Sequence, residues 1–141
     1  MFENEKIMIQ RITGGSTPIK AVYDNAKFYN KESIINLQIK AKEFSYLYIL
    51  TLLNSSLINW FYKQKFTNNS KLTVNLSKEY LGQIPIKYCS METQEVIGNV
   101  ASILLYLSQS QMHPTFGIFN QVLDGLVFCQ RQPETVLNLA V

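Results

Sequence analysis

The stretch that decides the fold is Tyr46-Leu-Tyr-Ile-Leu-Thr-Leu-Leu-Asn54-Ser-Ser-Leu-Ile-Asn-Trp60-Phe-Tyr-Lys-Gln-Lys65. It holds the longest apolar run and the single tryptophan of the chain. Its leucines and other large apolar residues recur at helical spacing, which predicts a central helix from Glu43 to Lys65. Because lysines and amides follow the apolar run at once, we expect one end of this helix to present a basic, polar surface.

The 40 residues before this helix alternate between apolar and polar residues, and turn-forming residues interrupt the alternation. This pattern predicts a set of strands connected by hairpins. In the last strand, Ile35, Leu37 and Ile39 share one face, which is expected to be buried. The predicted strands are Lys6–Ile12, Ile19–Tyr23, Lys27–Tyr29 and Ser33–Ile39, with a loop at Thr13–Pro18.

Shorter elements and then two long apolar stripes follow the central helix. The sequence predicts a strand at Lys71–Leu76 and a helical turn at Ser77–Leu81 with Ser77 as N-cap. One stripe runs from Met91 to about Gln111 and includes Val96, Ile97, Val100, Ile103, Leu104 and Leu107. The next runs from Phe116 to about Gln130, after a break at Pro114, so the two predict an antiparallel helical hairpin. The role of the apolar tail Val136–Val141 stays open.

These elements predict an α+β fold, in which a small β-rich domain surrounds a central helix and a helical hairpin follows. The predicted boundaries are residues 1–90 for the first domain and 91–141 for the hairpin and tail. A chain of 141 residues with 47% apolar residues can bury a sizeable core without a disulfide or a metal.

Charge is unevenly distributed along the sequence. Residues 1–88 carry 12 Lys or Arg against 6 Asp or Glu, a net charge of +6, whereas residues 89–141 have a net charge of −3. A basic front half is typical of a surface that faces a polyanion. The alternative is that these lysines are ordinary solvated surface. Only 16% of the residues are charged, which suggests that a partner covers part of the surface.

The sequence contains no recognisable catalytic or metal-binding motif. His113 is the only histidine and has no nucleophile beside it in the sequence. Cys89 and Cys129 are far apart, which excludes a recognisable zinc site and a disulfide framework. Gly14 and Gly15 lack the spacing of a phosphate-binding loop. The first residues lack the apolar segment of a signal peptide, and no apolar run is long enough to span a membrane, so we expect a cytoplasmic protein.

The segment from Tyr62 to Lys71 is the best candidate for a binding surface. Its lysines can neutralise phosphates, and its Asn and Gln side chains can pair with base edges. A solvated loop after a core helix is an equally common explanation of the same residues. Trp60 and Phe61, just before this segment, are predicted to be core residues, because large aromatic side chains are usually buried.

Several motifs, in this order, resemble a known family. They are Lys6-Ile-Met-Ile-Gln-Arg-Ile12, Ala21-Val-Tyr-Asp24, Leu52-Leu-Asn-Ser-Ser-Leu57, Leu81-Gly-Gln-Ile-Pro-Ile86 and Phe119–Phe128. Together they resemble the TaqI-like C-terminal specificity domain of type IIG restriction–methylation enzymes and adenine-N6 DNA methyltransferases, and also type I specificity subunits. After the last helix the family's tyrosine-rich pattern is replaced by Val127-Phe-Cys-Gln-Arg131.

The resemblance implies a bacterial DNA-reading module without catalytic activity of its own. S-adenosylmethionine and magnesium would then be bound only by catalytic domains outside this chain, and the partners would be double-stranded DNA and a methyltransferase or nuclease domain or subunit. Lysines would contact phosphates, and Arg11, Gln64, Asn68 and Asn69 would contact base edges. The full predicted DNA-binding set is Arg11, Lys20, Lys63, Gln64, Lys65, Asn68, Asn69 and Lys71.

A competing hypothesis is a protein-interaction or scaffold domain. Its support is the low charge content and the apolar hairpin, through which the chain would form a homodimer by residues 92–130 or dock another protein. A stand-alone enzyme, the third hypothesis, would require a pocket with convergent polar groups.

Overall fold

A computed structural model describes residues 4–14, 17–67 and 73–109 of the chain. The α+β class is confirmed, because two antiparallel sheets pack with several helices. The strands are β1 (Lys6–Gln10), β2 (Ile12–Gly14), β3 (Ala21–Asp24), β4 (Ile34–Leu37) and β5 (Thr73–Asn75). The helices are α1 (Tyr46–Asn54), α2 (Ser56–Phe66), α3 (Lys78–Leu81) and α4 (Met91–Gln109).

The larger sheet has the strand order β3-β1-β4, and one of its faces forms the core against α1. In the register, Ile7 lies opposite Leu37 and Ile9 lies opposite Ile35. These four side chains are buried, as the alternation predicts, because every second residue of a strand points to the same side. Ile49 and Leu53 of α1 are fully buried in the same cluster.

The predicted strand Lys6–Ile12 is divided at Arg11. β1 ends at Gln10, and β2 leaves the sheet to pair with β5 in a separate two-stranded ribbon. The N–H of Arg11 still donates to the carbonyl of Ser33 at 2.9 Å, while its carbonyl accepts from the N–H of Leu76 at 2.8 Å. Arg11 therefore links the two sheets. The loop predicted at Thr13–Pro18 begins later than expected, because β2 includes Thr13 and Gly14.

Part of the second face of the larger sheet is also buried, which the sequence did not predict. Lys6 and Asp24, which lie opposite each other in the register, form an ion pair whose side chains are almost fully buried. Asp24 also accepts from the N–H groups of Ala26 and Phe28 at 2.9 and 3.0 Å, so its carboxylate holds the start of the following loop. The predicted strand Lys27–Tyr29 is wrong, because Lys27 has a positive φ of 61°, incompatible with an extended strand.

Replacing Asp24 by asparagine is expected to reduce stability at neutral pH and to remove its acid dependence. The hydrogen bond from Lys6, helped by the two backbone donors, holds the pKa of Asp24 below its usual 3.8, against the opposing effect of burial. The carboxylate therefore contributes stability above about pH 4, and this contribution is lost as pH falls through the lower pKa of the folded state. The substitution also leaves the buried Lys6 ammonium without its counter-ion.

Urea midpoints measured between pH 2 and 7 test this expectation. The Asp24→Asn curve should lie below that of the wild type at neutral pH and approach it in acid. The exposed carboxylate of Glu32 provides the control, and Glu32→Gln should run parallel to the wild type. Parallel curves for wild type and Asp24→Asn would show that the Lys6–Asp24 pair contributes no pH dependence.

The prediction of one continuous central helix is wrong, because the helix is interrupted at Ser55. This residue has φ −67° and ψ 151°, ends α1 and serves as the N-cap of α2. Its hydroxyl accepts from the N–H of Ile58 at 3.2 Å, which satisfies one of the donors at the start of α2. Together α1 and α2 span nearly the predicted range, but the helical hydrogen-bond pattern is interrupted at Ser55.

The predicted helix from Met91 is confirmed as α4, although its buried face differs from the predicted stripe. Ile97 is buried, whereas Val96 and Ile103 are 53% and 59% exposed. Gln94, Gly98 and Ala101 of α4 are also buried, and Gly98 lies against Leu47 of α1. The predicted second hairpin helix, the tail and the C-terminal part of the predicted dimer surface lie outside the described residues, so the hairpin and the second domain stay predictions.

Gln94 is a polar residue that fixes α4 to the start of α1. Its side chain is fully buried. The amide oxygen accepts from the N–H of Ser45 at 2.8 Å, and the amide nitrogen donates to the carbonyls of Glu43 and Cys89 at 2.8 and 2.9 Å. Because all three partners are backbone groups, the attachment of α4 to the start of α1 does not depend on the identity of neighbouring side chains.

Candidate nucleic-acid interface

Two asparagines at the break between α1 and α2 hold the segment that leads into β3. The amide of Asn54 donates to the carbonyl of Ala21 and accepts from its N–H, both at 2.9 Å, as a neighbouring strand would. The amide oxygen of Asn59 accepts from the N–H of Ile19 at 2.7 Å, and its nitrogen donates to the carbonyls of Leu53 and Ser55. We call Asn54, Ser55 and Asn59 the asparagine joint.

The asparagine joint explains why the Asn-Ser-Ser sequence interrupts an apolar helix. Its side chains form hydrogen bonds with backbone N–H and carbonyl groups both at the helix break and at the edge strand β3. Without these bonds, the backbone groups would be buried and unpaired. Lys20 lies between Ile19 and Ala21, the two residues that the joint holds, and its side chain is exposed. The joint thus presents Lys20 at the surface from a fixed backbone.

The last turn of α2 carries three of the predicted DNA-binding residues. Gln64 and Lys65 are exposed and Lys63 is half-buried. The helix ends at Thr67, whose N–H and hydroxyl both bond to the carbonyl of Lys63, at 3.3 and 2.9 Å. Cations at a helix C-terminus interact favourably with the helix dipole, so Lys63 and Lys65 also stabilise α2.

Four aromatic side chains form an aromatic cluster beside Lys65, namely Phe61, Tyr62, Phe66 and Tyr80. The rings of Phe66 and Tyr80 stack with centroids 4.7 Å apart, and Tyr62 contacts Phe66 at 5.1 Å. The ammonium of Lys65 lies 5.4 Å from the ring centroids of both Phe61 and Phe66, within the range of cation–π attraction. Burial raises the pKa of the Tyr62 phenol, which therefore stays neutral at physiological pH. The cluster attaches α3 to the end of α2 and orients the Lys65 side chain.

The prediction that Trp60 is a core residue is wrong. Its side chain is 59% exposed, although Phe61 beside it is half-buried in the aromatic cluster. The buried face of α2 is formed instead by Ile58, Asn59 and Tyr62. The break at Ser55 restarts the helix, so the apolar spacing of α1 does not continue into α2. The asparagine at position 59 takes the buried position that an apolar residue would occupy in a continuous stripe.

Arg11 and Lys20 form a second group of predicted residues, on the sheets. The carbonyl of Lys20 accepts from the N–H of Gln10 at 3.0 Å, which places Lys20 beside the chain segment that contains Arg11. Arg11 is exposed, and its Nε donates to the side-chain oxygen of Asn75 in β5 at 3.4 Å. The guanidinium is therefore held at the junction of the two sheets with its other donors still available.

Asn68, Asn69 and Lys71 lie outside the described residues, so their predicted roles stay predictions. Tyr80 is a residue that sequence reasoning missed. It lies in α3, far from α2 along the chain, and no spacing in the sequence indicates that it would stack on Phe66.

The electrostatics of this region are one-sided. From Phe44 to Lys78, both included, the sequence contains four lysines and no aspartate or glutamate. Among the described residues the only ion pair is that of Lys6 with Asp24, so neither Lys63 nor Lys65 is neutralised by a described carboxylate. Unpaired surface ammonium groups on a fixed helix end are suited to bind phosphate oxygens.

The described part of the structure offers no candidate metal site. No group of three or more His, Cys, Asp or Glu residues comes together there. A groove of about 400 Å³ lies between β3, α1 and α4. Its lining includes Val22, Leu47, Leu50 and Asn54, and no His, Cys, Asp or Glu. Within the same described ranges, no helix has the length and apolar character needed to cross a bilayer.

Comparison with known proteins gives one match. The family description TaqI-like C-terminal specificity domain matches residues 1–86, which include both sheets, the asparagine joint and the aromatic cluster. No curated protein and no solved structure matches the chain at a significant level.

Proposed function

The chain belongs to the TaqI-like C-terminal specificity domain family, and on that premise we propose that it is the DNA target-recognition module of a restriction–modification system. Residues 1–86 would bind double-stranded DNA, while methyl transfer and cleavage would take place in a methyltransferase or nuclease domain or subunit that works beside it. S-adenosylmethionine and magnesium would be bound by those catalytic parts. A bacterial cytoplasm is the compartment that this role implies.

The observation that carries the proposal is the pair of lysines at the end of α2, without a described carboxylate partner and inside the matched region. Lys63 and Lys65 would contact consecutive phosphates, with Lys20 and Arg11 contributing charge from the sheets. Gln64 lies between the two lysines in the sequence, and we propose that its amide reaches a base edge once the phosphates fix the register. A type IIG or adenine-N6 system remains the specific assignment that the motif order favours.

Salt-dependent binding of a labelled duplex by the full chain tests this function. Phosphate contacts release counterions, so affinity should fall steeply with salt concentration. The double variant Lys63→Gln/Lys65→Gln should weaken binding by roughly 10-fold at about 0.1 M salt. It should also reduce the magnitude of the log–log salt slope by roughly 1.8, because about 0.9 is expected for each lost phosphate contact.

Lys40→Gln/Lys42→Gln is the matched control, because it removes the same charge from two exposed lysines outside α2. It should leave the slope close to that of the wild type. Equal effects of both double variants would mean that only net charge matters, which contradicts a site at the end of α2. Absence of any duplex binding at about 50 mM salt contradicts the proposed function for this chain.

A second candidate function is protein docking through α4, which its exposed apolar side chains favour. Val96, Ile103 and Tyr106 are at least half exposed and are spaced so that they share one side of the helix. Either a second copy of the chain or a catalytic partner could cover such a face. Light scattering of the wild type and of Val96→Glu/Ile103→Glu distinguishes these cases: a dimer that dissociates in the variant supports self-association, and a monomeric wild type contradicts it.

A further inference from the structure

Trp60 is the exposed aromatic residue of α2 that the proposed phosphate contacts leave unexplained. It is 59% exposed on a helix that is otherwise packed through Ile58 and Tyr62. Tryptophan is enriched at binding interfaces, where its large apolar ring leaves water and its N–H finds a partner. Trp60 belongs neither to the aromatic cluster nor to the core.

The position of Trp60 relates it to the proposed interface. Lys63 and Gln64 follow at the third and fourth positions, and residues at these separations are neighbours on a helix surface, with Cβ atoms about 5–6 Å apart. On the other side, the residue one turn earlier is Ser56, which is exposed. The indole is thus one turn away from an ammonium and an amide that are proposed to contact DNA.

We propose that the indole of Trp60 contacts the DNA duplex, packing against deoxyribose and base edges beside the phosphate that Lys63 binds. This inference rests on the proposed function and assigns a non-electrostatic contact within the same interface. Aromatic side chains interleaved with cations are a recurrent arrangement in nucleic-acid binding, because the ring adds apolar contact that the ammonium groups do not provide.

A docked protein is the other possible occupant of the indole, and the surroundings favour DNA. Energetically important tryptophans in protein interfaces usually lie at the centre of a well-packed patch. The neighbours of Trp60 one turn away on α2 are instead mostly polar, namely Ser56, Lys63 and Gln64 beside the half-buried Leu57. The absence of carboxylates from residues 44–78 also favours an anionic partner over a typical mixed protein surface.

The contact can be observed directly, because Trp60 is the only tryptophan of the chain. Addition of duplex at low salt should change the intrinsic emission and reduce its quenching by acrylamide, and added salt should reverse both changes. A labelled duplex followed by anisotropy in the same titration measures binding independently of Trp60. The two signals should give the same dissociation constant.

Two variants separate the indole from the lysines. Trp60→Ala should weaken duplex binding by roughly 10-fold, because the apolar contact of the indole is lost. Its salt slope should equal that of the wild type, because no phosphate contact is lost, and Trp60→Phe should be intermediate. Phe28→Ala is the control, since Phe28 is 62% exposed and lies in the loop after β3. It should bind as the wild type does.

The possible outcomes distinguish the two claims. If anisotropy shows no binding at low salt, the proposed function fails, and this inference fails with it. If the duplex binds but Trp60 emission, acrylamide quenching and the affinity of Trp60→Ala are all unchanged, the inference is overturned while the proposed function stands. A circular-dichroism melt confirms that each variant is folded.

Discussion

Replacing Asn59 by leucine is expected to destabilise the fold by about 3 kcal/mol, although leucine has nearly the same volume. Asn59 is only 4% exposed, so water cannot replace its side chain. Leucine leaves the N–H of Ile19 and the carbonyl of Leu53 without the partner that the amide provided. Each buried backbone group that loses its partner costs about 1–3 kcal/mol, and the added apolar contact offsets only part of this loss.

Chemical denaturation of the full chain measures the effect. Asn54→Ala is the informative comparison, because it also removes two hydrogen bonds to a backbone. Asn54 is only half-buried, so water can reach the N–H and carbonyl of Ala21, and we expect a loss of about 1 kcal/mol. Asn99→Leu, on the exposed side of α4, should change stability by less than about 0.5 kcal/mol. The hypothesis of the asparagine joint is wrong if Asn59→Leu is as stable as the wild type.

The asparagine joint also shows where sequence periodicity stops being informative. Helical spacing predicted a helix from Glu43 to Lys65, and α1 and α2 together occupy nearly the same stretch, because the spacing reflects local burial. The break at Ser55 depends on Asn54 and Asn59 bonding to residues more than 30 positions earlier. Propensity within a window cannot represent such bonds. The prediction that Trp60 is buried was wrong because it used the general burial tendency of large aromatic side chains, which does not say which side of α2 faces the core.

The strands show the same division between local and long-range information. The inward faces of β1 and β4 were predictable, because alternation alone decides them. The change of strand partners at Arg11 could not be predicted from alternation, because β2 pairs with β5, which is about 60 residues away. The buried pair of Lys6 and Asp24 was equally hidden, since both look like surface residues until the strands are aligned.

For the candidate site, the sequence predicted the lysines at the end of α2 but not their setting. Lys63 and Lys65 were identified from composition, which is local. The aromatic cluster that orients Lys65 depends on Tyr80, which α3 brings to Phe66 from 14 residues later in the chain. The lysines of the basic surface thus lie on one helix end, but the contacts that orient Lys65 come from the tertiary fold.

Replacing Gly98 by valine is expected to destabilise the chain by about 3 kcal/mol, because α4 packs on α1 at this glycine without space for a side chain. A Cβ atom at position 98 would lie 2.8 Å from the Cβ of Leu47, far closer than two carbon atoms can approach. The obstructing atom is attached directly to the backbone, so a change of rotamer cannot relieve the contact. The two helices would have to separate, which would also strain the bonds of Gln94 to the start of α1.

Gly98→Ala sharpens this test, because alanine raises helix propensity by about 1 kcal/mol and would stabilise an exposed helix. Here the steric cost should exceed that gain, so we expect a net loss of about 1–2 kcal/mol by thermal or urea unfolding. Asn99→Val and Asn99→Ala place the same side chains on the adjacent exposed position and should change stability by less than about 1 kcal/mol. Leu47→Ala keeps the obstructing Cβ and should not rescue Gly98→Ala. Rescue would show that the flexible end of Leu47, not the backbone approach of α1 and α4, sets the distance between the helices.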